Sequence, residues 1–134
     1  MATIASMRGK QLTISVGNRP GEIAKICQAL AEGGVNIRAL STTGDYDVGA
    51  LRIVVDDDKK AKAALARSGH MCMETDVLLI EETERVGSAA EVTGKLGSAG
   101  VNINYMYASS AGAGRSLMIL GVPDVEKAER ALSR

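Results

Sequence analysis

The residues of this 134-residue chain that carry chemistry fall into a few short clusters. His70-Met71-Cys72-Met73 places three soft-ligand types in four positions, the donor set of copper(I) or zinc. On a strand, however, His70 and Cys72 face one way and Met71 and Met73 the other, so the four cannot converge within one chain, and packing is their expected role. Ser110-Ala111-Gly112-Ala113-Gly114-Arg115 has the composition of a phosphate loop but sits between two predicted strands and precedes no helix, which makes it a hairpin turn. Asp56-Asp57-Asp58 could attract a cation, yet acids placed before a helix serve more simply as caps and dipole partners. Asn18-Arg19-Pro20-Gly21, with Asn36 and Asn102, suits a zwitterion. A helix start offers unpaired N–H groups to a carboxylate, glycine leaves room for approach, and an asparagine amide both donates and accepts. The single histidine has no acid and nucleophile at a recognisable spacing, so the chain reads as non-enzymatic, with no cofactor and no metal.

Composition narrows the setting. Lys+Arg and Asp+Glu both number 16, and no stretch is strongly basic, so nucleic acid and anionic membrane are not expected partners. Phe and Trp are absent and Tyr46, Tyr105 and Tyr107 are the only aromatics, which leaves no base-stacking platform and a core of Ile, Leu, Val, Met and Ala. No segment approaches the roughly 18 apolar residues of a membrane span, and residues 1–10 hold no signal-peptide run, so the expected location is the cytoplasm. Cys27 and Cys72 lack CxxC spacing and read as reduced, packed thiols.

The elements that position these residues come twice. Pro20 to Leu40 aligns without a gap on Val86 to Met106, 66 positions later, with Gly21/Gly87, Ala24/Ala90, Leu30/Leu96 and Gly34-Val35-Asn36-Ile37/Gly100-Val101-Asn102-Ile103 identical. A repeat of this length implies two copies of one supersecondary unit. In the first copy, Gln11 to Val16 alternates like a half-buried strand, and Pro20 is expected in the first turn of a helix whose stripe is Ile23, Ile26, Cys27 and Leu30. Strands Val35–Thr43 and Gly49–Val55 follow, joined by Gly44-Asp45-Tyr46-Asp47, and then a short helix Lys59–Arg67 ended by Gly69. His70 to Glu82 is too long for one average strand and reads as the last strand of copy one running into the first of copy two. The second copy repeats the plan with helix Val86–Ala99, strand Val101–Ala108, a loose turn Ser109–Gly114, strand Ser116–Gly121 and helix Asp124–Ser133.

The expected fold is therefore α+β: two ferredoxin-like βαββαβ units in tandem, each an antiparallel sheet with its helices on one face. The expected boundaries are an N-terminal segment 1–10, a first unit 11–75 and a second unit 76–134 that lacks its last strand. An open edge is a liability, and the Thr3–Ser6 segment, the neighbouring copy or a second subunit is expected to cover it.

These residues resemble tandem ACT domains, small regulatory modules that bind amino acids. The resemblance is carried by Asn18-Arg19-Pro20-Gly21 and the helix behind it, Gly34-Val35-Asn36-Ile37, the junction Glu74-Thr75-Asp76-Val77-Leu78, Gly87, Gly100-Val101-Asn102-Ile103 and Tyr105-Met106-Tyr107-Ala108. It implies an amino acid or close analogue held between two ACT units, in the loop from first strand to first helix of one and against the start of the second strand of the other. The implied ligand residues are Asn18, Arg19, Pro20, Gly21, Glu22, Ile23, Asn36 and Ile37, and in copy two Arg85, Gly87, Ser88, Asn102 and Ile103. Asn18 and Asn36 match ligand-bonding positions of the serine-sensing ACT domains of phosphoglycerate dehydrogenases, whose histidine two residues before the asparagine is Val16 here. Copy two has Glu84-Arg85-Val86-Gly87 in place of Asn-Arg-Pro-Gly, so its loop is less typical and the two sites need not be equivalent. With no enzyme or DNA-binding domain in this sequence, the implied protein is a homodimer that signals to a regulated enzyme in trans; the rival reading is an assembly module without a ligand.

Overall fold

The computed structural model describes residues 4–44, 47–83, 85–110 and 114–133. In chain order these form β1 (Met7–Gly17), α1 (Glu22–Glu32), β2 (Ile37–Thr43), β3 (Val48–Val55), α2 (Asp58–Arg67), β4 (Met73–Thr83), α3 (Ser88–Ser98), β5 (Tyr105–Ser110), β6 (Arg115–Gly121) and α4 (Val125–Leu132). Two compact units result. One is Lys10–Thr75, and the other combines the chain up to Gly9 with the chain from Asp76 onward. The long segment read as two strands in succession is one 11-residue strand, β4.

In the first unit the strand order is β2-β3-β1-β4. The alternation in β1 does what its period demands: Leu12, Ile14 and Val16 are buried, and Leu12 and Ile14 stand opposite Ile53 and Leu51 of antiparallel β3. Onto this face pack Ile26 and Leu30 of α1 and Ala61, Ala64 and Leu65 of α2.

In the second unit the order is β1-β4-β6-β5. Leu78 and Ile80 of β4 pair with Leu120 and Met118 of β6, and with Val92, Leu96, Ala128 and Leu132 they form the second core. The sheet position that the sequence leaves without a strand, beside β4, is taken by the start of β1. Gly9 lies so close to Leu79 that a Cβ there would come within 2.5 Å of its Cδ1. Ile4 reaches further: its N–H donates to the Leu132 carbonyl at 2.9 Å and its side chain, 5% exposed, joins the second core. Arg8 binds Glu129 of α4 at 2.6 Å. Thr3, the first residue expected to cover this edge, lies outside the described residues.

The chain also departs locally from the expected boundaries. Pro20 stands before the helix, which starts at Glu22 with Gly21 as its cap; α3 likewise starts at Ser88, not Val86. Val35 and Val101 do not open strands. Each is the closing residue of a Schellman turn, in which Val35 N–H bonds Leu30 at 2.9 Å and Gly34 N–H bonds Ala31 at 3.0 Å, mirrored by Val101 to Leu96 at 2.9 Å and Gly100 to Gly97 at 3.0 Å. Gly34 and Gly100 both take φ 73°, and both valines are buried against their cores. Four of the identities shared by the two copies besides the asparagine and isoleucine, namely Leu30/Leu96, Gly34/Gly100, Val35/Val101 and Gly21/Gly87, thus mark where helices begin and end.

Gly100→Ala forces a side chain into the left-handed region and should cost about 1 kcal/mol or more. Asp124→Ala removes the carboxylate that accepts from Lys127 N–H at 3.0 Å and should cost about 1 kcal/mol. Urea unfolding checks both; unchanged midpoints would contradict these assignments.

Candidate ligand site at the glycine-capped helix starts

The four helices begin in two different ways. α2 and α4 start behind Asp57 and Asp124, whose side chains accept from Lys60 and Lys127 N–H at 3.0 Å. α1 and α3 start behind Gly21 and Gly87, both at φ 87°, with no side chain capping the first turn. Glu22 N–H bonds the Arg19 carbonyl at 3.3 Å and Lys25 N–H bonds Gly21 at 3.1 Å, so the N–H groups of Ile23 and Ala24 between them point out of the helix start. A glycine cap with no side chain leaves the positive end of the helix dipole open to an outside anion. A Cβ at Gly21 would meet nothing within 4 Å, so the approach is unobstructed.

The flanking loop is well tied. Asn18 N–H bonds Asp47 at 2.7 Å and its Nδ2 donates to the Gly44 carbonyl, linking the start of α1 to the β2–β3 connection, whose residues 45 and 46 lie outside the described residues. This leaves the amide oxygen of Asn18 as its acceptor. Exposed Arg19 pairs with Glu22 at 3.6 Å, and Glu22 also meets Lys25 at 3.5 Å. Pro20 is exposed in the turn, and Ile23 is half-buried.

Asn36 and Ile37 lie elsewhere. They follow the C-terminal end of α1, so that helix's 11 residues, about 16 Å of rise, separate them from Asn18 and Gly21. Within one unit the two asparagines therefore do not meet. Asn36 exchanges backbone bonds with Asp56, its N–H to Oδ1 at 3.0 Å and its carbonyl from Asp56 N–H at 3.1 Å. Its side-chain amide has no hydrogen-bond partner among the described residues. Ile37 packs against the first core.

The second copy is closed where the first is open. Ser88, buried at the first position of α3, donates its hydroxyl to Glu82, and Arg85 pairs with Glu91. A carboxylate of the protein thus already stands against the start of α3. Glu84 lies outside the described residues. Asn102 bonds Asn104 Oδ1 at 3.0 Å, and Ile103 packs against the second core; neither is in β5, which begins at Tyr105. Glu82 and Glu91 were not read from the sequence as site residues. The signal was there: Glu82 aligns with Val16 and Glu91 with Lys25 at the repeat offset of 66.

Of the soft-ligand cluster, expected to pack, only Cys72 does so. Met71 and Met73 are 89% and 69% exposed, whereas Cys72 packs against the first core and His70 Nδ1 bonds Ser68 Oγ at 2.9 Å. Among the described residues no group of three or more His, Cys, Asp or Glu side chains is placed to hold a metal. Residues 111–113 of the glycine-rich hairpin lie outside the described residues. No helix among the described residues is long and apolar enough to cross a membrane.

Two βαββαβ units in tandem, each with its first helix starting behind a left-handed glycine, define the class of fold. The chain belongs to the ACT domain pair family, whose pattern it matches over residues 7–133. It is similar to protein BT0572 from Bacteroides thetaiotaomicron, at 31% identity over 95% of this chain and 88% of that one, with a TM-score of 0.87. The ligand-free regulatory subunit of aspartate kinase from Thermus thermophilus shares the fold at 21% identity and TM-score 0.71, over 98% of this chain and 97% of that one. So does E. coli aspartokinase III in complex with lysine and aspartate, at 16% identity and TM-score 0.57, over 98% of this chain and 32% of that one. No curated protein sequence matches the chain.

Burial pushes the Cys72 thiol above its usual range, Glu74 pushes it further, and Lys62 opposes both. A raised thiol pKa means less thiolate at any given pH, so Cys72 should react with iodoacetamide more slowly than free cysteine at pH 8, with its rate rising only at higher pH. Equal or faster reaction, followed by mass spectrometry, would contradict the packed assignment.

Proposed function

We propose that this protein is a non-enzymatic regulator that binds a free amino acid or close analogue at an interface between ACT units of a homodimer and signals to a partner enzyme in trans. The observation that carries the reading is the open start of α1. Ile23 and Ala24 N–H groups at a glycine cap suit the ligand carboxylate, and the Asn18 amide oxygen suits its ammonium. Asn36, distant from this loop within its own unit and with an unbonded amide, is suited to close the site from another ACT unit. Arg19 and Glu22 line the approach as a neutralised pair.

The α3 start of copy two is the weaker candidate, because Glu82 and Ser88 already satisfy one another there and a second carboxylate would be repelled. The regulatory reading has support from the family and from the shared fold of aspartate kinase regulatory subunits. In the aspartokinase III complex lysine and aspartate are bound by that protein; at 16% identity the likeness extends to fold and does not choose the ligand here.

A thermal-shift screen against the common amino acids at millimolar concentration tests the proposal. A ligand present at about 100 times its Kd stabilises the native state by roughly 2.7 kcal/mol, a rise of several degrees in Tm. One or two amino acids should give it, and Gly21→Asp, which places a carboxylate at the open cap, should abolish it. No shift with any amino acid would favour the ligand-free assembly module.

A further inference from the structure

The segment that closes the edge of the second sheet has a counterpart in the first unit. Ile4 to Lys10 lies over His70 to Asp76 at the repeat offset of 66, and the two are fastened alike. Ile4 N–H donates to the carbonyl of Leu132 in α4 at 2.9 Å, and His70 N–H donates to that of Leu65 in α2 at 2.8 Å. Arg8 holds Glu129 of α4 at 2.6 Å, and Glu74 holds Lys62 of α2 at 2.6 Å. Arg8 aligns with Glu74, and Glu129 with Lys62 at an offset of 67, one residue being inserted before α4. Each unit thus ties an edge segment to its second helix at the same two points, a backbone bond and an ion pair.

The ion pair has opposite sign in the two units. In the first the edge segment carries the acid and the helix the base; in the second the segment carries the base and the helix the acid. Lys10 against Asp76 repeats the reversal. If either segment took the other's place, Arg8 would meet Lys62 and Glu74 would meet Glu129, like against like. Backbone hydrogen bonds do not distinguish two extended segments, so side chains must, and repelling the wrong one serves as well as attracting the right one. Only the second unit needs the distinction. Glu74 follows Lys62 by 12 residues through one turn, whereas Arg8 comes from 121 residues away. Two further features narrow what fits: Ile4, 5% exposed in the second core, stands where the first copy has His70, and Leu79 fills the space a Cβ at Gly9 would need. The hold is also light. Of residues 4–9 only Ile4 is buried, and Met7 is 62% exposed, so this segment should open more readily than the core it covers.

We propose that the edge of the second unit is a strand-accepting groove that selects its occupant by charge. Glu129 admits an extended segment with an aliphatic residue and, four positions later, a guanidinium followed by glycine, the pattern of Ile4, Arg8 and Gly9. It rejects the acidic segment that fills the same place in the first unit. The chain's own segment closes the groove, and the same segment of a second copy is the partner it accepts once that occupant is released. This selectivity does not depend on a ligand at the start of α1.

Two N-acetylated, fluorescein-labelled peptides are the probes, one with the sequence of residues 4–10, standing in for the second copy, and one with that of residues 70–76. Each is titrated against the full-length chain and read by fluorescence anisotropy. The host is Arg8→Gln, in which the resident segment loses its ion pair and competes less; the pair is partly exposed, so the variant should fold. The 4–10 peptide should bind at least about fivefold tighter than the 70–76 peptide. Glu129→Lys in the same background should reverse that order, which loss of packing alone would not do. The wild-type chain should give the same order more weakly, because its tethered segment competes, so the comparison stands even if Arg8→Gln does not fold. In the wild-type chain the Ile4 amide should also exchange with solvent about 100-fold faster than that of Leu96 in α3. Binding of neither peptide, equal binding of both, an order unchanged by Glu129→Lys, or an Ile4 amide that exchanges only with the core would each overturn the proposal.

Discussion

Every helix must find acceptors for the N–H groups of its first turn, and how this chain meets that demand organises the rest of the molecule. α2 and α4 answer it internally with Asp57 and Asp124. Those helices follow short connections from β3 and β6 and have only to close their unit. α1 and α3 follow the loops at the ends of β1 and β4, where a left-handed glycine replaces the capping side chain and the first-turn N–H groups face outward. A glycine start forgoes roughly a few tenths of a kcal/mol relative to a capping side chain. A ligand carboxylate can supply that missing interaction, which links occupancy of the loop to stability of the helix behind it.

The same constraint separates the copies. In copy one the residue aligned with Glu82 is Val16, buried in the core, and the carboxylate that follows the cap, Glu22, pairs with Arg19 and Lys25. In copy two Glu82 and Ser88 are bonded to one another at the corresponding place.

Much of this was legible in the residues. The alternation of Leu12, Ile14 and Val16, the stripe of Ile26 and Leu30, and the aspartates before α2 and α4 each report a local rule, and local rules survive folding. Gly34 and Gly100 were readable as helix stops for the same reason. The long-range placement was legible only as alternatives, with Thr3–Ser6 one of three ways to cover the open edge. Nothing local in Ile4 to Gly9 says that these residues join the strands from Asp76 onward, because that placement rests on one backbone bond to Leu132, burial of Ile4 and the fit of Gly9 against Leu79. Pro20 stands outside the helix because the left-handed glycine after it, not the proline, makes the turn. The likeness of Asn36 to Asn102 suggests one role for both, yet among the described residues one amide is unbonded and the other is held by Asn104, two residues on.

The central claim is that the open start of α1 receives the carboxylate of an amino acid and the closed start of α3 does not. Titrating the ¹⁵N-labelled protein with single amino acids and following the amides of Ile23 and Ala24 against those of Ala89 and Ala90 tests it directly. The account predicts large, saturable downfield shifts at Ile23 and Ala24, as new hydrogen bonds form, with Ala89 and Ala90 unmoved. Shifts confined to Ala89 and Ala90, or none at either helix start with any amino acid, would contradict it.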